Sequence, residues 1–448
     1  MNLIKERNEA KKHAVEVATA GNDSSEAWAH YRSLRNTINN RLKYEERKFK
    51  ADKIRDSLDC PANTWRTAKG FMNWESSSGP PSQLEIGSRL VTKAACIASE
   101  MNNYFINKVK IIREGIRYVP NQFTKCLEIM QGKGCRLGLK HVTVAKVTKL
   151  LKSLKNSKST SVDELNNFCI KISAEIIAPA LHHIVTLSII QKRFPESWKY
   201  SKVIPLHKKE SKLERKNYRP VAILSPLSKI LEKIVYEQIY EYFTKNKLFH
   251  PNLHGYRQNR STQTALLSMY DKWVRAASRG QVSGVVLLDL RASFDLVDPV
   301  LLVNKLRIDG VEEDYIAWIT SYLTERHQAV WIDHVYSEYL HCEVGAPQGS
   351  NLGPLFFIIF FNDLPYSIDS PVDSYADDTS LSATGASVLE IEDKLTSDCE
   401  KVSYWMKANK LKLNPEKTHI LTMGTQERLN TLTNTVRVVM DNIELIQM

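Results

Sequence analysis

An apolar run that closes on a carboxylate sets the first constraint on this chain. Val282 to Leu290 reads VSGVVLLDL, β-branched and long enough for a buried strand, with Asp289 at its end. A second acidic point, Asp377-Asp378, lies in Tyr375-Ala376-Asp377-Asp378, within a stretch (374–383, SYADDTSLSA) that fits a short hairpin. A carboxylate at the edge of a buried strand is costly unless something neutralises it. Three meeting at one point would repel by roughly 1–4 kcal/mol per pair at about 4 Å, depending on the effective dielectric. Divalent cations remove that cost. Two Mg²⁺ held by carboxylates are what in-line nucleotidyl transfer needs, one lowering the pKa of an attacking hydroxyl and one steadying the leaving pyrophosphate. Such chemistry requires no Ser/His/Asp triad. Plainer readings exist for each piece: a loop turn for Asp377-Asp378 and a strand-ending cap for Asp289. What makes the signal specific is the order and spacing of several motifs together.

Charge narrows the partner. The 448 residues leave room for two or three domains, or for one large domain with an appendage. The net charge of +12 favours a polyanion such as nucleic acid or an anionic membrane surface. Residues 192–233 hold twelve Lys/Arg against four acids, two-thirds of the excess. The alternative for such a stretch is a solvated helical face. Seven scattered cysteines form no CxxC pair, so a structural zinc site has no support and reduced thiols fit better than a disulfide framework. The N-terminus lacks an apolar signal region. Leu355 to Phe361 (LFFIIFF) is the most apolar run, far short of the ~20 residues that span a bilayer, and reads as buried core.

Along the chain, residues 1–58 read as helical. Arg32, Arg35, Arg41, Arg47 and Arg55 are interleaved with Trp28, Tyr31, Tyr44 and Phe49, suiting either an RNA-contacting arm or a solvated helical linker. Residues 75–88 (ESSSGPPSQLEIGS) and 132–138 (GKGCRLG) read as loops, and 156–165 (NSKSTSVDEL) as a polar turn leading into a helix. Helical spacing continues over 140–154, 170–192, 227–243 and 387–410. Strands are expected at 202–206, at 282–290, and across 328–345 around a turn near Asp333-His334.

Several strings then form an ordered series. LDLRASFD at 288–295, GAPQGSNLGP at 345–354, SYADD at 374–378 and WMKANKLKLNPEKTHI at 405–420 resemble motifs A, B, C and D of LINE-type (non-LTR, jockey-like) retrotransposon reverse transcriptases. VIPLHKK at 203–209, NYRPVAILSPLSKILEKI at 217–234 and HGYRQNRST at 254–262 resemble the fingers of the same family, and 28–74 more loosely resembles the region before the polymerase in jockey-like elements. The match covers about 140–424. The resemblance implies an RNA-directed DNA polymerase with an α+β, right-hand fold. It implies an antiparallel palm sheet, helical basic fingers, an N-terminal helical extension and a thumb largely absent. The domains expected from it are 1–139 extension, 140–281 fingers with part of the palm, 282–424 palm, and 425–448 the start of a truncated primer-grip region.

By position, the resemblance assigns Asp289, Asp377 and Asp378, with the backbone of Leu290, to two Mg²⁺, with Mn²⁺ as an alternative. Phe294 matches the steric gate against a ribose 2′-OH, and Gln348 and Gly349 line the incoming nucleotide. Gly345, Gly349 and Gly353 permit close backbone approach to that nucleotide and its paired template base. Lys208 and Arg219 grip the triphosphate, Lys417 protonates pyrophosphate, and Tyr375, Arg257 and Lys209 contact nucleic acid. Implied partners are an RNA template, a DNA primer and dNTPs, with no membrane, in the nucleus or cytoplasm. Two departures stand out. Ala292 replaces the usual lysine of motif A, and Pro299 follows Asp298 where a histidine is usual, which implies weakened rather than abolished chemistry. No endonuclease-like segment is visible N-terminal to these motifs. The alternative function is a catalytically inactive, nucleic-acid-binding remnant of such an element.

Overall fold

The structure, a computed structural model, describes residues 2–59, 61–71, 79–131, 133–157, 160–430, 436–441 and 443–447. Cys60, residues 75–78 of the expected linker, Gly132, Lys158, Ser159, and positions 431–435, 442 and 448 lie outside the described residues. The chain divides into two compact units, residues 1–77 and 78–448.

The first unit is helical, as its scarcity of breakers predicts: α1 (Asn2–Thr19), α2 (Ser25–Arg55) and α3 (Pro61–Phe71). Ala14 and Ile38 are buried where α1 and α2 pack, while Tyr44, Phe49 and Trp65 stay exposed.

The second unit mixes helices and sheets. It begins with a hairpin, β1 (Leu84–Ile86) and β2 (Arg89–Val91), and continues through α4 (Ala94–Glu114), α5 (Thr124–Met130), α6 (Val144–Lys152), α7 (Asn167–Ile172) and α8 (Ala174–Ile190). Next come β3 (Tyr200–His207), β4 (Tyr218–Ile223), α9 (Pro226–Lys245), α10 (Thr262–Ser278), β5 (Val282–Leu288), α11 (Pro299–Ile308) and α12 (Glu313–Leu323). The chain goes on with β6 (Arg326–Ile332), β7 (Val335–Tyr336), β8 (Leu340–Cys342), α13 (Leu352–Phe361), β9 (Val372–Tyr375), β10 (Asp378–Gly385) and α14 (Val388–Ala408). It finishes with β11 (His419–Met423), α15 (Gln426–Asn430), β12 (Val439–Met440), β13 (Ile443–Glu444) and β14 (Ile446–Gln447).

Local chemistry explains many of these boundaries. Ser225 caps α9 with Pro226 in its first turn, and Ser261 and Thr264 form a reciprocal capping box on α10. Asp333 and His334 both have positive φ (45° and 67°), which the two-residue turn between β6 and β7 demands. The LFFIIFF run lies in α13, buried on all sides and packed against α9 and α11.

Two sheets organise the unit. One has the order β14-β11-β5-β10-β9, antiparallel except for β11 with β14. The other runs β4-β3-β6-β7, with β8 also on β6 and a parallel β3–β6 pair. Two expectations differ from this arrangement. Residues 84–86 of the expected linker pair as β1, and Glu85 N–H also bonds to Leu213 O at 2.9 Å. The division expected at 139 runs inside this unit, because α4 carries an apolar stripe. Its Ile97, Ala98, Met101 and Phe105 are buried in a cluster with Val203, Val330 and Ile332.

Candidate active site

β5 is the central strand of its sheet, and its neighbours β10 and β11 come later in the chain. Thr379 pairs with Leu288, so the antiparallel register continues with Asp378 opposite Asp289 just beyond the last paired residues. Between β9 and β10 the chain turns in two residues, with Ala376 at φ 60°. Glycine is the usual occupant of that conformation. Asp377 therefore sits at the apex beside Asp378.

Each acid has a distinct neighbour. Asn414 donates Nδ2–H to Asp289 Oδ2 at 2.8 Å, and its backbone N–H bonds to Asp289 O at 2.8 Å. Ser293 Oγ–H donates to Asp377 Oδ2 at 3.4 Å. Burial, then the nearby carboxylates of Asp377 and Asp289, hold the Asp378 carboxyl above the ordinary range. Among the described residues, no group of three His, Cys, Asp or Glu is arranged to hold a metal ion, so the expected ligand set does not stand ready-made. Asp289 and Asp377 each turn an oxygen to a protein donor instead. The donor chemistry nonetheless suits a hard divalent cation. It is all oxygen, three carboxylates plus the Leu290 carbonyl, which accepts no hydrogen bond among the described residues. The raised Asp378 carboxyl marks a crowding of charge that a cation would relieve.

The segment after Asp289 carries the expected gate. Phe294 stacks on Phe357 of α13 (ring centroids 4.4 Å, 20° between planes) and meets Tyr256 edge-on (6.0 Å, 88°). Backbone bonds tie this segment to the 345–350 loop: Ala346 N–H to Phe294 O at 3.1 Å and Gly345 N–H to Val297 O at 3.0 Å. Gln348 donates Nε2–H to Asp295 Oδ1 at 2.5 Å, and its carbonyl accepts from Ala222 N–H of β4 at 2.9 Å. Burial pushes the Asp295 carboxyl up, while the Gln348 amide pulls it down. Gly349 has φ 113°, and a Cβ there would lie 2.3 Å from Ala222 O, so only glycine fits between loop and strand. Behind the loop, buried Glu232 accepts from Asn351 N–H at 2.7 Å, and burial lifts its carboxyl to about 6.

The remaining expected residues lie around this centre. Lys208 and Arg219 are exposed at the tip of the β3–β4 hairpin, near each other because Leu206 pairs with Arg219 and Lys208 N–H bonds to Asn217 O. Lys209 pairs with Glu210 at 3.5 Å. Lys417 is exposed in the 415–417 turn, its N–H on Asn414 O at 3.0 Å. Tyr375 ends β9 half-exposed. Arg257 commits Nη1 to the carbonyls of His250 (2.8 Å) and Leu253 (3.0 Å) and lies over the Phe249 ring, a fold-holding arrangement. The basic stretch 192–233 is mostly occupied in the same way: Lys202 lies over Trp331, and Lys192, Arg193, Lys199, Lys209, Arg215, Lys216 and Lys233 pair with acids. Lys208, Lys212, Arg219 and Lys229 have neither ion pair nor ring contact among the described residues.

Of the two departures in motif A, Ala292 adopts φ 49° in the turn that aims Ser293 at Asp377, and nothing in the structure explains alanine there in place of lysine. Pro299 occupies the first turn of α11, capped by Asp298. Sequence reasoning missed Ser293, Asn414, Asp295, Gly255 and Tyr256, all of which touch the expected site residues or the turn between β9 and β10. The only advance signal was their place inside or beside the quoted motifs.

Residues 206–437 match the family described as reverse transcriptase (RNA-dependent DNA polymerase). The chain is 28% identical to the probable RNA-directed DNA polymerase from transposon BS of Drosophila melanogaster, over 63% of this chain and 32% of that protein. It is 24% identical to the RNA-directed DNA polymerase from mobile element jockey of the same organism, over 84% of this chain and 42% of that protein. With the jockey protein of Drosophila funebris the identity is 26%, over 59% of this chain and 30% of the relative. The chain thus spans about a third to two-fifths of the length of these curated relatives. Family match, motif order and the pairing of Asp289 with the 377–378 turn lead to one conclusion: the chain belongs to the reverse transcriptase (RNA-dependent DNA polymerase) family.

Proposed function

We propose that this site adds deoxynucleotides to the 3′ end of a primer paired with an RNA template, as part of a non-LTR retrotransposon polymerase acting in the nucleus or cytoplasm. The observation that carries the reading is the register that sets Asp378 opposite Asp289, with Asp377 beside it in a two-residue turn. Asp289, Asp377, Asp378 and the Leu290 carbonyl would hold two Mg²⁺ (or Mn²⁺). Bound there, such cations lower the pKa of the primer hydroxyl and stabilise the charge on departing pyrophosphate.

The protein's own groups do the rest. The primer 3′-hydroxyl gives up its proton to solvent, its oxygen attacks the α-phosphorus, and the bond to the pyrophosphate oxygen breaks in line. Lys417 supplies the proton that pyrophosphate takes up. Lys208 and Arg219 grip the triphosphate, the guanidinium fork matching phosphate oxygens. Phe294 fills the space a 2′-hydroxyl would need, and Gln348 and Gly349 line the nucleotide's other side. Lys209 and Tyr375 would contact the nucleic acid, which is held chiefly through phosphates, while Arg257 braces the loop that carries it by bonding the His250 and Leu253 carbonyls. In this reading the β5-centred sheet is the palm and the β3–β4 hairpin with its flanking helices the fingers. Among the described residues no helix is long and apolar enough to cross a membrane.

Primer extension on an RNA template with Mg²⁺ and dNTPs tests the reading, beside an Asp377→Asn/Asp378→Asn double variant. The wild type should extend, and the double variant should fall by at least about a thousandfold, the scale of losing an electrostatic catalytic group. Equal extension by both would sink the metal-site assignment. A second reading, a non-catalytic nucleic-acid-binding remnant, rests on Lys208, Lys212 and Arg219, which are exposed at the β3–β4 tip without an ion pair among the described residues and suit phosphates whether or not chemistry follows. Its signature is salt-sensitive RNA retention on a filter with no extension under any divalent cation.

A further inference from the structure

The loop between α9 and α10 is bound into the acidic hairpin. Leu253 bridges to Ser374 in parallel, His254 N–H bonds to Ser374 O at 2.8 Å, and Ser374 N–H bonds to Asn252 O at 3.0 Å. This short segment thus extends the sheet beyond β9. Gly255 then presses against the catalytic turn: a Cβ there would lie 2.3 Å from Ala376 N and 2.9 Å from Ala376 Cα. Backbone at that distance cannot give way as a side chain could.

The next residue, Tyr256, has φ 55°, a left-handed conformation uncommon for a non-glycine residue. It turns an aromatic ring, 44% exposed, edge-on to Phe294. Phe294 is thereby held on two sides, by Phe357 against one face and by Tyr256 at 6.0 Å. A half-exposed aromatic ring on a strained backbone, locked to the catalytic turn by a neighbouring glycine, is poorly explained by core packing alone.

We propose that Tyr256 is a specificity-determining residue for the sugar of the incoming nucleotide: its ring fixes the plane of Phe294 and completes the wall that excludes a 2′-hydroxyl. The proposal rests on the polymerase reading above. Its physical basis is that a gate discriminates by rigidity. A ring free to tilt on Phe357 would leave room for one extra oxygen, and one such group in an apolar pocket changes selectivity by roughly tenfold to two-hundredfold.

Single-nucleotide incorporation by wild type, Tyr256→Phe, Tyr256→Asn and Phe294→Ala is the test, reading the ratio of kcat/KM for a dNTP to that for the matching rNTP. Asparagine tolerates left-handed φ, so Tyr256→Asn removes the ring without adding backbone strain. A thermal melt checks that each variant is folded. Tyr256→Phe should keep the wild-type ratio. Tyr256→Asn should lower the ratio roughly tenfold by admitting rNTP. A folded Tyr256→Asn with an unchanged ratio, beside a Phe294→Ala whose ratio collapses, overturns the role of Tyr256 and leaves the polymerase reading intact. A wild type that incorporates neither nucleotide overturns the polymerase reading itself, and this proposal with it. Loss of dNTP and rNTP incorporation in equal proportion would make Tyr256 a merely structural residue and would also overturn it.

Discussion

Asp378 faces solvent at the point where three negative charges converge, with its carboxyl held above the ordinary range by burial and by Asp377 and Asp289. Without a bound cation that crowding opposes folding. Replacing Asp378 with Asn should therefore raise the melting temperature of the metal-free protein by roughly 1–2 °C, a small gain because solvent screens an exposed carboxylate. Differential scanning fluorimetry in EDTA checks this, and a lower melting temperature would contradict the repulsion argument. The three acids were legible in the sequence because each interrupts apolar or small neighbours, where a charge needs a reason. Asn414 and Tyr256 were not, because their place inside quoted motifs does not show what they touch. Asn414 matters through an Asp289 oxygen 125 residues away, and Tyr256 through a ring on a different element. Arg257 shows the converse. A basic residue inside a motif suggested nucleic acid, yet its guanidinium closes a loop on two carbonyls.

Elements differ in how plainly they announce themselves. α9, α14 and the β9–β10 hairpin follow from helical spacing, caps and a two-residue turn, all local properties. α4 escaped because its apolar stripe is short and set in a stretch of mixed charge, so only the β6–β8 surface it covers reveals its place. The 345–350 loop is decided by contacts that no local pattern contains: Asp295 on the Gln348 amide, Ala222 on its carbonyl, and Glu232 on Asn351. Gly349 is the narrowest point. Gly349→Ala should cost about 1–3 kcal/mol from the positive φ alone. The 2.3 Å approach to Ala222 O should add displacement of the loop from β4. Urea denaturation and primer extension should both register it, the second more severely. A variant with wild-type stability would show that the loop can leave β4 freely.

Across the whole second unit, a buried ionic cluster couples stability to pH. Lys305 is buried and donates to Asp363 Oδ1 and to Phe360 O, each at 2.6 Å. Asp309 lies near them, and burial, then the charge of Asp363, raise its carboxyl to about 8, opposed by Lys305 and Lys133. A carboxyl raised on folding favours the native state most at low pH. Its contribution is complete below the unfolded value near 4 and declines as pH rises, until it is gone above about 8. Unfolding free energy should fall between pH 5 and 8 by up to about 1.4 kcal/mol per unit from this one group, and Asp309→Asn should flatten the slope. Chemical denaturation of both proteins at pH 6 and pH 8 decides it, and parallel slopes would refute the assignment. Composition also misleads at this scale. Much of the basic excess at 192–233 is paired or packed on rings, so the open cationic surface is narrower than the net charge suggests and includes the β3–β4 tip.

The central place of β5 has a consequence for synthesis on the ribosome. Both of its flanking strands, β10 and β11, are made after it, at 378–385 and 419–423. Until His419 to Met423 clear the exit tunnel, one edge of an apolar strand stays unpaired, and the Asn414 that holds Asp289 is at most freshly emerged. A nascent chain therefore carries Asp289 for 89 codons before Asp378 is made and for 125 before Asn414 is made, and through that interval the bare edge of β5 is a natural target for chaperones.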